Sequence, residues 1–149
     1  MCDYMNQEIH IDDSIVFIVN ERGKAPQLMA GSVKEIHNKS INAWGIDGEN
    51  YRVLSSARPG EDGIMRNTIK LTSLPLRKEG ITDYTGVPIQ LGDKAAFMEA
   101  PSQSYCTSFV LGTIIKATEQ EVILRSDFPT ATKYMRKPKQ ILVVSLQEY

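Results

Sequence analysis

The residues best suited to chemistry in this chain crowd together in Lys133-Tyr134-Met135-Arg136-Lys137-Pro138-Lys139. Cations at this density attract phosphates regardless of base sequence, and a tyrosine among them offers a ring on which a base or sugar can stack. The stretch lies within a longer segment, 128–147, whose four cations (Lys133, Arg136, Lys137, Lys139) are accompanied by no acid. A second segment, 63–78, carries Arg66, Lys70, Arg77 and Lys78, also without an acid. All 18 acids and 9 of the 17 bases lie elsewhere, so the net charge of −1 and the pI near 6.1 conceal a segregation. Arg125 and Lys116 extend the patch if their strands face the same way. The ordinary alternative is a solvated cationic face, which keeps a small β protein soluble and blunts its sheet edges.

A second group is aromatic. Trp44, Tyr51 and Phe17 come from separate segments of the first half and could form a cage for a methylated cation through their ring faces. By strand parity Trp44 points away from Ile41 and Ala43, and filling an interface is the commoner use of such a ring. Other chemistry finds no constellation. His10 and His37 are the only histidines and have no cysteine at ligand spacing. Asp12-Asp13 and Gly92-Asp93 read as turns, and Arg58-Pro59-Gly60-Glu61-Asp62-Gly63 lacks a phosphate-loop spacing. Cys106 has no base nearby in sequence. The expectation is no catalytic site, no cofactor and no metal.

These residues are positioned by a module that occurs twice. Asp13-Ser14-Ile15-Val16-Phe17 matches Asp93-Lys94-Ala95-Ala96-Phe97 at an offset of 80. Gly31 and Val33 match Gly112 and Ile114 at 81, so one extra residue sits in the loop between. Met65-Arg66 and Ile69 find a weaker echo in Met135-Arg136 and Ile141, at offsets of 70–72. Alternating strands are expected over Leu28–Ile36, Ser40–Ile46 and Phe109–Ala117, and shorter ones around Tyr51, Lys133 and Gln140–Val144. Val87–Leu91 reads as a strand opening the second module, and Asp47-Gly48 reads as a hairpin turn. Residues 1–8 read as frayed. No segment of ten or more residues shows a helical period. The predicted organisation is all-β, with modules at 9–74 and 86–146 and a linker at 75–85. With 149 residues, 42% of them hydrophobic, each module has only a small core.

The opening Gly92-Asp93-Lys94-x-x-Phe97 and the strand at Gly112-Thr113-Ile114, followed by a tight turn and Val122-Ile123, resemble the SH3-like barrels of the KOW and Tudor type. The ending Thr132 to Ile141 is similar to small proteins of tailed phages. In architecture the chain resembles their two-Tudor DNA-binding proteins of the MotB type. The resemblance implies two tandem SH3-like β-barrels and binding without catalysis.

The expected function is non-enzymatic nucleic-acid binding, with double-stranded DNA favoured over RNA and little sequence preference. The expected contacts are Lys133, Tyr134, Arg136, Lys137 and Lys139, helped by Arg125, Lys116, Arg66 and Lys70. The competing expectation is a protein-interaction module that docks on a host enzyme or transcription complex. No stretch is long and apolar enough for a membrane span, and the first eight residues carry no signal pattern. The expected place is therefore the cytoplasm, that of the host cell if the chain is phage-encoded. Cys2 and Cys106 are expected to be free thiols.

Overall fold

A computed structural model describes residues 1–21, 23–55, 63–71, 80–99, 108–126 and 132–145. The Arg58-Pro59-Gly60 stretch, Arg77, Lys78, Cys106 and the last four residues lie outside these. The architecture is all-β, as expected. The strands are β1 (Ser14–Val19), β2 (Gln27–Ile36), β3 (Ser40–Gly45), β4 (Asn50–Leu54), β5 (Thr68–Lys70), β6 (Lys94–Met98), β7 (Phe109–Ala117), β8 (Val122–Ser126), β9 (Lys133–Arg136) and β10 (Ile141–Ser145). One turn of 3-10 helix, Pro138–Gln140, precedes β10. Two five-stranded sheets result, ordered β4-β3-β2-β1-β5 and β9-β8-β7-β6-β10. The second repeats the first strand for strand. The chain divides into two compact units, Met1–Leu71 with Glu99–Phe109, and Thr72–Met98 with Val110–Tyr149. Among the described residues no helix is long and apolar enough to cross a membrane.

The strands follow from side-chain patterning. Ile15 to Ile18 are all buried because β1 lies between β2 and β5, so its apolar run is continuous rather than alternating. β3 alternates instead: Ile41, Ala43 and Gly45 are buried, whereas Asn42 is half-buried and Trp44 exposed. The two cores match residue by residue. Ile9, Ile15, Phe17, Val33, Ile41 and Ala43 in one stand where Ile89, Ala95, Phe97, Ile114, Val122 and Leu124 stand in the other. Ile15 becomes Ala95 while Ala43 becomes Leu124, so volume lost at one position is restored elsewhere in the same cluster.

Gly31 and Gly112 have a steric role. A Cβ on Gly31 would collide with the backbone oxygen of Trp44, and one on Gly112 would lie 2.9 Å from that of Arg125. Each glycine thus lets the third strand of its sheet approach the second. Just beyond each one the register shifts, between Val33 and Glu35 and between Ile114 and Lys116. Such a bulge sharpens the local twist and bend of a strand.

The module begins earlier than its apolar strands suggest. Residues 1–8, expected to fray, are tied down by backbone hydrogen bonds from Cys2 to Gly63, Tyr4 to Thr68 and Ile9 to Met1. The reason is Asp3. Its buried carboxylate accepts from the backbone N–H groups of Met5, Gln7 and Lys70 at 2.9, 2.8 and 2.7 Å. Asp83 does the same with Thr85, Val87 and Val143 at 2.8, 2.9 and 2.7 Å. Each aspartate clasps the opening turn of its module to the closing strand. Residues 80–85 therefore carry the same turn as the chain's first residues. Positive φ recurs at the same places, 60° at Asn6 and 90° at Gly86, then 73° at Asp12 and 88° at Gly92. Val87–Leu91 forms no strand, only one isolated bridge between Pro88 and Thr82 ahead of the turn at Leu91-Gly92; proline has no N–H to give to a ladder.

The clasps also settle how the modules align at their ends. Thr68 faces Phe17 and Ile141 faces Phe97, so Lys70 corresponds to Val143. Met65-Arg66 is therefore no counterpart of Met135-Arg136. Met65 is fully buried ahead of β5, whereas Met135 is 60% exposed in β9. The resemblance between the two pairs is fortuitous.

Candidate nucleic-acid interface

Strand parity divides the basic residues of the second module between two faces. On β7 and β8 the inward set is Gly112, Ile114, Val122 and Leu124. The outward set includes Thr113, Ile123 and Arg125. Arg125 pairs with Thr113 on one side and Lys133 on the other. The Lys94 ammonium donates to the Thr113 hydroxyl at 2.7 Å. Lys94, Thr113, Arg125 and Lys133 thus form one row across four adjacent strands. Next to it runs a second row, Lys116, Ile123 and Met135. Strands β6 to β10 together carry five cations and no carboxylate.

That row is costly for the fold. Like charges directly opposite across an antiparallel pair destabilise it by a few tenths of a kcal/mol to about 1 kcal/mol. Arg125 and Lys133 stand in this relation, both exposed. An anion lying over the row would relieve the repulsion and accept from several donors at once.

Tyr134 and Arg136 belong to the other face. The Tyr134 ring packs against Phe97 of the core, with centroids 5.2 Å apart. The Arg136 guanidinium sits 5.3 Å from the Phe97 ring and 5.4 Å from that of Tyr134. Its Nε and one terminal nitrogen donate to the Met98 carbonyl at 3.3 and 3.0 Å, and the other terminal nitrogen to the Met135 carbonyl at 2.8 Å. Both residues are part of the packing. Lys139 is likewise engaged, donating to the Thr82 hydroxyl at 2.6 Å and the Asp83 carbonyl at 3.1 Å. Lys137 is exposed beside the 3-10 turn.

Arg66 and Lys70 lie in the first unit. Lys70 is held by Asp13 at 3.2 Å and by the Glu8 carbonyl at 3.2 Å, and Arg66 is half-buried ahead of β5. The Asp13 carboxyl lies below the usual carboxylate range, chiefly because it accepts from the His10 backbone N–H, with Lys70 adding to the effect. The seven residues singled out in the second module therefore do not share one face. Lys116, Arg125 and Lys133 share a face, and Lys94 and Thr113, which sequence reasoning passed over, join them. The signal was available: Lys94 matches Ser14 at the repeat offset of 80, and Thr113 matches Ser32 at 81.

The aromatic cage does not assemble. Tyr51 pairs with Ala43 and its ring lies 5.5 Å from that of Phe17, which is fully buried. Trp44 pairs with Asn50 and faces the opposite side of the sheet, 45% exposed. Among the described residues no three His, Cys, Asp or Glu side chains gather to hold a metal ion.

Residues 81–144 match a family model described as a domain of unknown function (DUF7205). No curated protein matches the chain. The matched span covers the whole cation row of the second module.

Proposed function

We propose that this chain is a non-enzymatic binder of the nucleic-acid phosphate backbone, built on two tandem SH3-like barrels of the KOW and Tudor type. The barrel reading is supported by strand order. In each module a four-strand meander is followed by a last strand that returns to pair with the first, and a bulge behind a glycine bends the long second strand. The observation that carries the binding reading is the row Lys94, Thr113, Arg125 and Lys133 on strands that carry no carboxylate. Lys116 and Lys137 extend it.

The test is a mobility-shift titration with a random duplex and a matching single strand at two salt concentrations. Three cations on phosphate give a log–log salt slope of about −2 to −3. Arg125→Glu combined with Lys133→Glu should abolish retention while leaving the fold intact. Unaltered retention would remove the surface.

A protein-docking reading rests on a different feature, an open groove on the second module lined by Ile81, Glu119, Gln120, Lys137 and Pro138. A partner held there would respond only modestly to salt.

A further inference from the structure

The row that is cationic in the second module has a neutral counterpart in the first. Ser14 pairs with Ser32, Ser32 with Trp44, and Trp44 with Asn50. Ser14, Ser32, Trp44 and Asn50 therefore occupy the places of Lys94, Thr113, Arg125 and Lys133. Resting on the nucleic-acid reading above, we propose that this neutral row receives an unpaired nucleobase, so that one module holds phosphate and the other holds a base of a single strand.

Three features of the site carry the assignment. Trp44 is the only tryptophan of the chain and is 45% exposed on the outward face of its sheet. Beside its ring lies a shallow depression whose surroundings include Gly31, Gly45 and Gly48, with Ser14 and Ser32 close by. Gly48 leaves open space at its margin, and the two hydroxyls can donate to or accept from the edge of a base. Among the described residues no charged side chain lines the depression. A neutral site gives a phosphate no attraction, whereas a neutral planar base loses nothing there. A methylated cation is a poorer fit, because the rings of Tyr51 and Phe17 lie on the other side of the sheet and no carboxylate among the described residues lines the depression.

The experiment uses the full chain and follows Trp44 emission and the anisotropy of a labelled strand. The probes are a short single-stranded deoxyoligonucleotide, an abasic strand of equal length, a duplex, and a neutral oligosaccharide. The base-bearing strand should quench Trp44 and bind about tenfold more tightly than the abasic one, as a single stacked base allows. The abasic strand and the duplex should leave the emission unchanged. Trp44→Ala should lose that tenfold toward the base-bearing strand and nothing toward the abasic strand, and Trp44→Phe should recover part of it.

Equal affinity for the two strands, with unchanged emission, would overturn the base site while leaving the phosphate row standing. Quenching by the oligosaccharide but not by the base-bearing strand would also overturn it. Arg125→Glu with Lys133→Glu separates the two readings. If that variant binds the abasic strand as well as wild type does, the phosphate row fails. If no strand binds at all, both fail. The abasic comparison needs no substitution and decides the matter even where a Trp44 variant does not fold.

Discussion

Trp44 and Arg125 occupy the same place in the two repeats. Each faces outward from the third strand of its sheet, opposite Ser32 in one module and Thr113 in the other. The buried residues around these strands stay apolar in both copies, Ile41 against Val122, Val33 against Ile114 and Ala43 against Leu124. Outward positions are free of that packing constraint, and there the two copies have diverged from an aromatic, hydroxyl-lined row to a cationic one. Equal scaffolds thus present unequal chemistry.

Arg136 is expected to matter for stability rather than for binding. Its guanidinium donates to two backbone carbonyls and covers two rings. Charged hydrogen bonds of this kind contribute about 1.5–3 kcal/mol, and the ring contacts about 1 kcal/mol more. Arg136→Ala should lower stability by about 2–3 kcal/mol in urea unfolding, while Lys133→Ala should leave it within about 0.5 kcal/mol. Nucleic-acid affinity of the folded fraction should show the reverse order.

The aspartate clasps predict a matched pair of stability losses. Asp83→Ala leaves the N–H groups of Thr85, Val87 and Val143 without their acceptor, each at a cost of about 1–3 kcal/mol where water cannot reach. A loss of at least about 3 kcal/mol is expected, enough to unfold a module of this size, and Asp3→Ala should act likewise on the first module. Hydrogen exchange at Val143 and Lys70 reads the two effects separately. Protection that persists at Val143 in Asp83→Ala would contradict the clasp.

Much of the architecture was legible because burial imposes a period on sequence. The alternation at Ser40–Gly45 and the run at Ile15–Ile18 are written in residue type, and the repeat offsets aligned the first three strands of each module correctly. The clasps were not legible. An Asp-Tyr pair in a polar stretch gives no periodic signal, and what makes Asp3 structural is a bond to Lys70, far along the chain. Which of the candidate residues share a face was only partly legible, for a related reason. Clustering in sequence put Tyr134 and Arg136 beside Lys133, but adjacent residues of a strand point to opposite faces. Lys94 and Arg125, distant in sequence, share a row because the register brings them together.

Gly31 and Gly48 should separate close approach from backbone conformation. Gly48 has φ of 84° and open space around it, so Gly48→Ala meets only the left-handed backbone cost of about 1–2 kcal/mol. Gly31→Ala drives a methyl into the Trp44 backbone oxygen and should cost more, about 3 kcal/mol, by forcing β3 away from β2. Thermal unfolding of the two variants gives the order directly.

Tyr51 should titrate late. Its hydroxyl donates to the Asp47 carboxylate, which pushes the phenol up to about 12 from the ordinary value of 10.0 and holds Asp47 below its own ordinary value. The sign follows for both partners. The raised phenol supplies stability that is present below about pH 10 and lost as pH rises through about 12. The depressed carboxyl supplies stability that is present above the ordinary aspartate range and lost on acidification through its lowered value. Ultraviolet titration should find a tyrosine ionising at about 12, and Asp47→Asn should return it to the ordinary range.

The cation row is tested most directly by the salt dependence of single-strand binding in wild type and in Arg125→Glu/Lys133→Glu. Wild type should give a log–log slope of about −2, and the variant should bind at least a hundredfold more weakly with a slope near zero. Equal affinities and equal slopes in the two proteins would contradict the account.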